Sequence, residues 1–306
     1  MKTYQQLWQS LTPLYDAGEA QAIVRTVLDV KYGMTLTDII CGKVNELSAD
    51  EERKLEEIII RLQKGEPVQY VLGEADFAGR TFRVEPGVLI PRPETAELCQ
   101  WIEKDMIEKS IVSSGDSSED SSEDSSGNSP QATDDAKLIL DICTGSGCIA
   151  ITLGLNIPNS EVTGWDISED ALRIAQGNVE MMKAGNVRIE HQDALALPKA
   201  AEAADLIVSN PPYICEKEKA DMEKNVLEHE PSLALFVPDE DPLKFYRAIA
   251  EYASSALKSG GALYFEINPI YEKETRKMLE ELGFKDIETK EDAFGKKRMM
   301  RAKSTK

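Results

Sequence analysis

Residues 138–151 read "LILDICTGSGCIAI", a stretch that predicts a buried strand, a glycine turn and the start of a helix. Gly145 and Gly147 allow a tight turn and a close approach of the backbone to a ligand, and Ala150 lets the helix pack near the strand. The stretch therefore matches G-x-G-x-x-A, which is typical of nucleotide-binding α/β units. The pattern alone does not decide which nucleotide is bound.

The remainder of the C-terminal part alternates between strand and helix patterns. The predicted strands are "KLILDIC", "EVTGWDI", "VRIEHQ", "ADLIVSN", "GALYFEI", "FKDIETK" and "KKRMMRA", with helices near 147–155, 169–183, 240–258 and 270–282. Short apolar strands separated by helices pair in parallel and are covered on both faces. We therefore expect an α/β fold with a doubly wound, mostly parallel seven-stranded sheet. Its last two strands, with no helix between them, should form an antiparallel hairpin at one edge.

The upstream part has a different pattern. Residues 1–72 predict a small helical domain, in which "SADEERKLEEIIIRLQKG" carries a capping box of Ser48 and Glu51. Residues 73–92 predict a β-hairpin linker that turns near Ala78 and Gly79. The catalytic domain is then expected at 93–306, interrupted by a disordered insert at 113–135, "SSGDSSEDSSEDSSGNSPQATDD".

Composition excludes several classes of protein. The net charge of −20 argues against sequence-independent binding to DNA or RNA and favours a cationic ligand or a basic partner. The five cysteines contain no C-x-x-C pair and there are two histidines, so we expect neither a disulfide framework nor a metal site. With no apolar stretch long enough for a bilayer and no signal-peptide pattern, we expect a cytoplasmic monomer without a membrane partner.

Three acidic residues stand where a bound nucleoside would need them. Asp141 precedes Gly145 by four positions, and Asp166 follows Gly147 by 19, the place of the acid that binds ribose in dinucleotide folds. Asp193, after the third strand, is placed to face an adenine amino group. A carboxylate at position 141 suits a ligand with an ammonium and a sulfonium, whereas it would repel a pyrophosphate. The acids therefore favour S-adenosylmethionine.

Each of these acids also has an ordinary structural explanation. Asp141 can cap the amides of the loop that follows it. Asp166 can cap a helix that begins in "DISED", and Asp193 can be a simple turn residue. The sequence leaves these alternatives open.

A second motif, "SNPPYI" at 209–214, ends the apolar run "ADLIV". Two prolines donate no backbone N–H and fix φ, so the strand ends in a rigid direction. Asn210 should face the same crevice as the glycine loop, because α/β sheets bind ligands at the carboxyl ends of their strands. The Asn210 oxygen and the Pro211 carbonyl can each accept one N–H of an –NH₂ group, while Tyr213 can stack on a planar acceptor. The alternative is an ordinary proline-terminated strand.

Taken together, these motifs resemble class I S-adenosylmethionine-dependent methyltransferases that act on a planar amino or amide nitrogen. Residues 67–98, "PVQYVLGEADFAGRTFRVEPGVLIPRPETAEL", are similar to the segment before the catalytic domain in the HemK/PrmC family of release factor glutamine methyltransferases. "IPRPET" is the most specific part. The resemblance implies methylation of the side-chain nitrogen of the Gly-Gly-Gln glutamine in class 1 peptide chain release factors.

The resemblance also implies residue roles. The cofactor, S-adenosylmethionine with S-adenosylhomocysteine as its product, would be bound by Asp141, Cys143, Thr144, Gly145, Ser146, Gly147, Asp166, Asp193, Ala194 and Asn210. Catalysis would fall to Asn210, Pro211 and Tyr213. The substrate would contact Asn210, Pro211, Pro212, Tyr213, Arg92, Pro93 and Glu94. The helical N-terminal domain would recognise the release factor.

The chain departs from the family pattern at a few positions. Cys143 and Ser146 replace a more common glycine and threonine, and we expect cofactor binding to survive because both are small. Glu266 matches an acidic position at the end of the fifth strand, but residues 267–269, "INP", replace the usual glycine.

Four rival functions remain. The first two are a glutamine methyltransferase of a ribosomal protein and a nucleic-acid amino-group methyltransferase. The others are a nicotinamide-dependent oxidoreductase and a non-catalytic binding module. The −20 charge argues against nucleic acid, and the oxidoreductase leaves Asn-Pro-Pro-Tyr unexplained.

Overall fold

A computed structural model describes residues 2–115, 136–199 and 203–306 of the chain. The N-terminal part consists of short helices with a common apolar core that includes Val24, Leu28 and Ile59. These helices are α1 (Tyr4–Gln9), α2 (Ala17–Tyr32), α3 (Leu36–Ile40), a 3-10 turn (Lys43–Glu46), α4 (Ala49–Leu62) and α5 (Val68–Leu72). The predicted capping box starts α4, since the backbone N–H of Ser48 donates to the Glu51 carboxylate at 2.8 Å.

A two-stranded hairpin follows directly, as the sequence predicts. Strands β1 (Glu74–Phe77) and β2 (Arg80–Arg83) pair antiparallel around a two-residue turn. Both turn residues have positive φ, 48° at Ala78 and 74° at Gly79. This geometry matches the right-handed twist of the flanking strands. The hairpin thus leads from the helical part to helix α6 (Pro93–Gly115).

The C-terminal part forms the predicted seven-stranded sheet. Its strands are β3 (Lys137–Ile142), β4 (Ser160–Asp166), β5 (Val187–His191), β6 (Ala204–Ser209), β9 (Leu257–Glu266), β10 (Lys285–Glu291) and β11 (Lys297–Lys303). Their order is β10-β11-β9-β6-β3-β4-β5. The five strands from β9 to β5 are parallel, while β10 and β11 form an antiparallel hairpin at one edge. The fold prediction is therefore confirmed.

Helices cover both faces of this sheet. Helix α6, with α7 (Cys148–Asn156) and α8 (Glu169–Met182), packs on one face around Leu98, Ile102 and Ile151. On the other face α11 (Lys244–Ala256) and α12 (Glu272–Glu281) pack around Tyr246 and Phe265. Both faces of each central strand are thus buried, which explains its nearly continuous apolar sequence.

The topology creates one crevice at the carboxyl edge. From β3, the chain runs to β4 and β5 on one side and then returns to β6 and β9 on the other. Crossovers diverge between β3 and β6, and ligands of open α/β sheets bind at such a switch point. Ile142 and Ser209 are register partners at the ends of these two strands. The glycine loop and Asn-Pro-Pro-Tyr therefore emerge side by side.

An excursion between β6 and α11 was not predicted from the sequence. It contains β7 (Ile214–Cys215), a 3-10 helix (Glu216–Asp221), α9 (Lys224–His229), α10 (Ser232–Leu235) and β8 (Phe236–Val237). Strands β7 and β8 pair in parallel, each with two residues. Elements this short leave little periodicity in the sequence.

The end of helix α6 corrects the predicted start of the disordered insert. The helix continues to Gly115, so residues 113–115, which the sequence predicted to be disordered, are helical. The rest of that segment, 116–135, lies outside the described residues. Within the described parts of the chain, no helix is both long and apolar enough to span a membrane.

Candidate active site

The glycine loop has a left-handed backbone at three positions. The φ angles are 65° at Cys143, 56° at Gly145 and 80° at Gly147. A Cβ at Gly147 would lie 3.1 Å from Ile151 Cδ1 and 3.2 Å from Ala175 Cβ, so α7 and α8 leave little room for a side chain there. At Gly145 an added Cβ would meet nothing within 4 Å. The loop therefore packs tightly against the helices behind it and leaves Gly145 beside open space.

Asp141 lies behind this loop and holds it together. Its side chain is fully buried, and Oδ2 accepts from Thr144 Oγ1 at 2.6 Å and from Ala150 N at 3.1 Å. Oδ1 is buried without a partner among the described residues. Burial raises the pKa of Asp141 to about 7, although both donated hydrogen bonds oppose the rise. This geometry matches the alternative in which Asp141 caps the loop, and its side chain does not line the cleft described below.

Asp166 is the last residue of β4 and accepts a hydrogen bond from the glycine loop. Its Oδ2 accepts from Gly145 N at 2.9 Å, and Oδ1 accepts from Ser168 N at 2.9 Å. Burial raises the pKa of Asp166, and the backbone N–H groups work against that rise. Each carboxylate oxygen has a second acceptor position, which leaves room for ribose hydroxyls. Asp166 can thus anchor the loop and bind a sugar at the same time.

A cleft of about 930 Å³ opens in front of the loop, and we call it the cofactor cleft. Asp166 and Asp193 line it, and apolar walls come from Leu89, Leu233 and Phe245. A lining that combines carboxylates with apolar side chains fits a nucleoside that also carries positive charge. The donor set therefore suits S-adenosylmethionine, with the loop, Asp166 and Asp193 to hold it.

Asn210 follows β6 and belongs to a chain of hydrogen bonds. Its Nδ2 donates to Thr95 Oγ1 at 3.2 Å, and Thr95 Oγ1 donates to Glu266 Oε2 at 2.5 Å. Tyr213 Oη donates to the other oxygen, Oε1, at 3.0 Å. Glu266 is only 2% exposed, and its burial raises the pKa of its carboxyl group. Burial also raises the pKa of Tyr213, which stays a neutral donor.

A second cleft of about 680 Å³ lies on the other side of Asn210. We call it the acceptor cleft; Tyr213, Ile214, Val226 and Leu235 are among the residues that line it. Asn210 lines both clefts. A group that enters the acceptor cleft therefore reaches the side chain of Asn210 at the boundary with the cofactor cleft.

Both clefts share a wall that is formed by Leu89 and Arg92, before α6, and by Ala234 in α10. Arg92 pairs with the buried Glu230 at 2.5 Å, and Ile90 N donates to the same carboxylate at 3.2 Å. Tyr70, at the end of the helical part, donates to the Val88 carbonyl at 2.5 Å. The "IPRPET" loop is thus fixed both to the excursion after β6 and to α5.

The structure distributes the predicted site residues unevenly. Those that line the cofactor cleft are Arg92, Cys143, Thr144, Gly145, Ser146, Asp166, Asp193, Ala194, Asn210 and Pro212. Tyr213 lines the acceptor cleft. Asp141, Gly147 and Pro211 are buried and line neither cleft. The exposed Pro93 and the partly exposed Glu94 also line neither cleft. The guanidinium of Arg92 is engaged by Glu230.

Several residues that shape the site were not predicted from the sequence. Thr95 stands in "IPRPET" but received no role, and Glu266 was noted without one. Asn268 donates to the Tyr213 carbonyl at 3.1 Å, and Glu230 pairs with Arg92 in the wall that both clefts share. Only "IPRPET" carried a sequence signal that could have indicated Thr95, because the other three lie far from their partners along the chain.

Comparisons with known proteins agree with this architecture. Residues 133–297 match a family model described as a methyltransferase domain, and residues 12–73 match one described as the PrmC N-terminal domain. A protein of Bacteroides thetaiotaomicron named release factor glutamine methyltransferase is 46% identical over 295 residues, which cover 96% of each chain. A protein of Flavobacterium psychrophilum with the same name is 37% identical over 302 residues, 98% of each chain.

Among solved structures, the ribosomal protein L11 methylase from Lactobacillus delbrueckii subsp. bulgaricus is similar to this chain. The two are 17% identical, with a TM-score of 0.44 over 72% of this chain and 83% of that one.

Proposed function

The chain belongs to the family of release factor glutamine methyltransferases, and from this membership we propose how its residues perform the reaction. As an enzyme of this family it methylates a glutamine of peptide chain release factors. We propose that S-adenosylmethionine is the methyl donor, and that the acceptor is the side-chain nitrogen of the glutamine in the Gly-Gly-Gln motif. The observation that carries the proposal is the position of Asn210, which lines both clefts.

The cofactor cleft holds the donor in this proposal. Asp166 accepts the ribose hydroxyls through the acceptor positions that Gly145 and Ser168 leave free. Asp193 and the neighbouring Ala194 face the base. When bound, S-adenosylmethionine supplies an electrophilic methyl carbon, whose bond to sulfur breaks as the bond to the amide nitrogen forms. The acidic lining favours the positive charge of the donor over the neutral product.

Asn210 and Pro211 act on the acceptor nitrogen. The lone pair of an amide nitrogen is delocalised into its carbonyl, so the enzyme must gain rate by orientation and by stabilising the charge that develops. Asn210 Oδ1 and the Pro211 carbonyl each accept one N–H of the glutamine amide. The nitrogen passes one of these protons to solvent water after the methyl group has moved. Tyr213, held by Glu266 at 3.0 Å, lies beside the planar amide and stacks on it.

The helical part, residues 1–72, contacts the release factor in this proposal. Burial, and after it the negative charge of Glu223, raises the pKa of Glu19 in the helical part. Glu223 also lines the acceptor cleft, so the helical part lies close to that cleft. Exposed apolar side chains are available there, with Leu36 at 53% and Ile40 at 74%. We expect Ile40→Asp to raise KM for the release factor, whereas the control Leu155→Asp, 38% exposed at the far end of α7, should not. Equal KM values for both variants would contradict this role.

A labelling experiment tests the function. The enzyme is incubated with methyl-labelled S-adenosylmethionine and a recombinant release factor, a Gln→Ala release factor, ribosomal proteins, DNA or ribosomal RNA. We expect label on the intact release factor alone, and the −20 charge supports the exclusion of nucleic acid. Label that persists in the Gln→Ala protein, or label on another macromolecule, would overturn the proposal.

The role of Asn210 has its own test. Asn210→Ala should lower kcat about 100- to 1,000-fold, the cost typical of one lost charge-stabilising contact. Calorimetry should find the affinity for S-adenosylhomocysteine nearly unchanged. Asn156→Ala, at the opposite edge of the sheet, is the matched control. If Asn210→Ala no longer binds S-adenosylhomocysteine, Asn210 is a structural residue.

A further inference from the structure

The hydrogen-bond chain behind Asn210 has a direction, and the chemistry of Glu266 sets it. Thr95 and Glu266 are each 2% exposed, so water does not compete strongly for their bonds. The three residues come from three separate elements, with 115 positions between Asn210 and Thr95 and 171 between Thr95 and Glu266. Only the fold brings them together.

An ionised carboxylate accepts hydrogen bonds and donates none. Thr95 therefore directs its one hydroxyl proton to Glu266, at 2.5 Å. The oxygen of Thr95 is then left as an acceptor toward Asn210, and the group 3.2 Å away must be the Asn210 –NH₂. Consequently the Asn210 oxygen points away from Thr95. Tyr213 donates to the second oxygen of Glu266. Burial raises the pKa of Glu266, and the hydroxyls of Thr95 and Tyr213 and the charge of Arg298 oppose that rise by stabilising the ionised form.

The orientation of this amide matters for the reaction. The oxygen and nitrogen of an asparagine side chain have nearly the same shape, so its neighbours decide which of them faces a ligand. If the Asn210 amide were rotated by half a turn, its –NH₂ would face the –NH₂ of the glutamine, donor against donor. The nitrogen to be methylated would then lose the acceptor that aligns it.

We propose that Thr95 and Glu266 are positioning residues that fix the rotation of the Asn210 amide, so that its oxygen faces the glutamine nitrogen. This inference rests on the proposed function of the site. Thr95 also lines the cofactor cleft and Glu266 the acceptor cleft, but in this scheme both act on the reaction through Asn210. Their loss should therefore lower kcat and leave cofactor binding intact.

Thr95→Val is the main test, since it removes the hydroxyl and keeps the shape. We expect kcat for the release factor to fall about 100-fold, the typical effect of a misplaced reacting group. KM and the affinity for S-adenosylhomocysteine should change by no more than about threefold, a split that indicates loss of a transition-state contact. Thr95→Ser restores the hydroxyl and should recover most of the activity.

Thr152→Val is the matched control. Thr152 is also fully buried, and its hydroxyl has no hydrogen-bond partner among the described residues. Its loss should change neither kcat nor binding. If Thr95→Val keeps wild-type kcat, or if Thr95→Ser is as impaired as Thr95→Val, the positioning role is wrong.

Glu266→Gln tests the other link should Thr95→Val fail to fold. The amide offers one acceptor oxygen to two hydroxyl donors, so the direction of the chain is no longer enforced. We expect kcat to fall at least about tenfold with unchanged affinity for S-adenosylhomocysteine, and unchanged kcat would overturn the inference. A wild-type enzyme that fails to label the release factor would contradict the proposed function instead, so the two failures are distinguishable.

Discussion

The side-chain amide of Asn268 donates a hydrogen bond to the backbone carbonyl of Tyr213, with 3.1 Å between nitrogen and oxygen. Its oxygen accepts from Ile270 N at 3.0 Å and caps the short helix Pro269–Tyr271. The loop after β9 departs from the family's usual glycine, yet it supports the Asn-Pro-Pro-Tyr segment from behind. One side chain thus joins the ends of β6 and β9.

Asn268→Ala should therefore affect both stability and turnover. The loss of a helix cap costs about 0.5–2 kcal/mol, and the Tyr213 carbonyl loses a donor in a buried setting. We expect the free energy of unfolding in urea to fall by about 1–3 kcal/mol and kcat to fall about tenfold. Asn45→Ala, an exposed residue in the helical part, serves as the control. Wild-type kcat in Asn268→Ala would show that this support is dispensable.

The buried carboxyl of Asp141 should make stability depend on pH. Its pKa in the folded protein is about 7, raised by burial, so near neutral pH the folded state keeps a proton that the unfolded state has released. The free energy of unfolding then falls as pH rises between about 4 and 7, by up to about 1.4 kcal/mol per unit. Below about pH 4 both states are protonated and this dependence ends.

Asp141→Asn removes the titration while its oxygen still accepts from Thr144 and Ala150. Relative to wild type, the variant should therefore gain stability as the pH rises through this window. Urea unfolding at several pH values measures the difference. Asp50→Asn, whose side chain is 76% exposed, should show no such trend. Parallel pH profiles for Asp141→Asn and wild type would contradict the argument.

The sequence predicted the sheet well because its strands and helices are long enough to show their periods. It predicted the glycine loop because the tight turn needs glycine at fixed positions, and Asn210 because two prolines follow it and fix the direction of the backbone. Both motifs are local, and the topology rule for parallel sheets places them at one edge. Little tertiary information was needed for this part of the site.

The residues behind the site could not be predicted in the same way. Glu266 meets Thr95 across 171 positions, and Glu230 meets Arg92 across 138. No local period marks such pairs, because burial and register decide them. For Asp141, the motif predicts contact with the cofactor, and the fold adds what no local pattern shows: its side chain is fully buried and accepts from Thr144 and Ala150.

The pair Arg92 and Glu230 gives a test between a structural role and the predicted substrate contact. The Glu230 carboxylate is only 1% exposed, so removal of Arg92 leaves a buried charge unpaired. We expect Arg92→Ala to cost about 3–5 kcal/mol in the free energy of unfolding. Glu230→Gln in the same chain should restore part of it, because the buried charge is gone. Urea unfolding of the two single variants and the double variant completes the cycle.

A strictly additive cycle would contradict the structural role of this pair. In that case a large rise in KM for the release factor, with little loss of stability, would favour the predicted contact between Arg92 and the substrate. Glu85 and Arg173, paired at 2.7 Å on the surface, provide a control cycle. Exposed ion pairs contribute about 0–1 kcal/mol, so the control should show weak coupling.

A comparison of Gly147→Ala with Gly65→Ala separates the cost of backbone strain from the cost of steric crowding. The φ angles of the two glycines, 80° and 83°, are nearly equal, and an alanine at such a φ costs about 1–2 kcal/mol. An added Cβ meets nothing within 4 Å at Gly65, whereas at Gly147 it lies 3.1 Å from Ile151 Cδ1. Gly147→Ala therefore also crowds Ile151 and Ala175, which press on the loop from behind. We expect Gly147→Ala to lose more stability than Gly65→Ala in urea unfolding. Gly147→Ala should also bind S-adenosylhomocysteine at least about tenfold more weakly, because a displaced loop loses hydrogen bonds to the ligand. Gly65→Ala should retain wild-type affinity in the same calorimetric titration. Equal effects of the two variants on stability and affinity would mean that the packing of the loop against α7 does not shape the cofactor cleft.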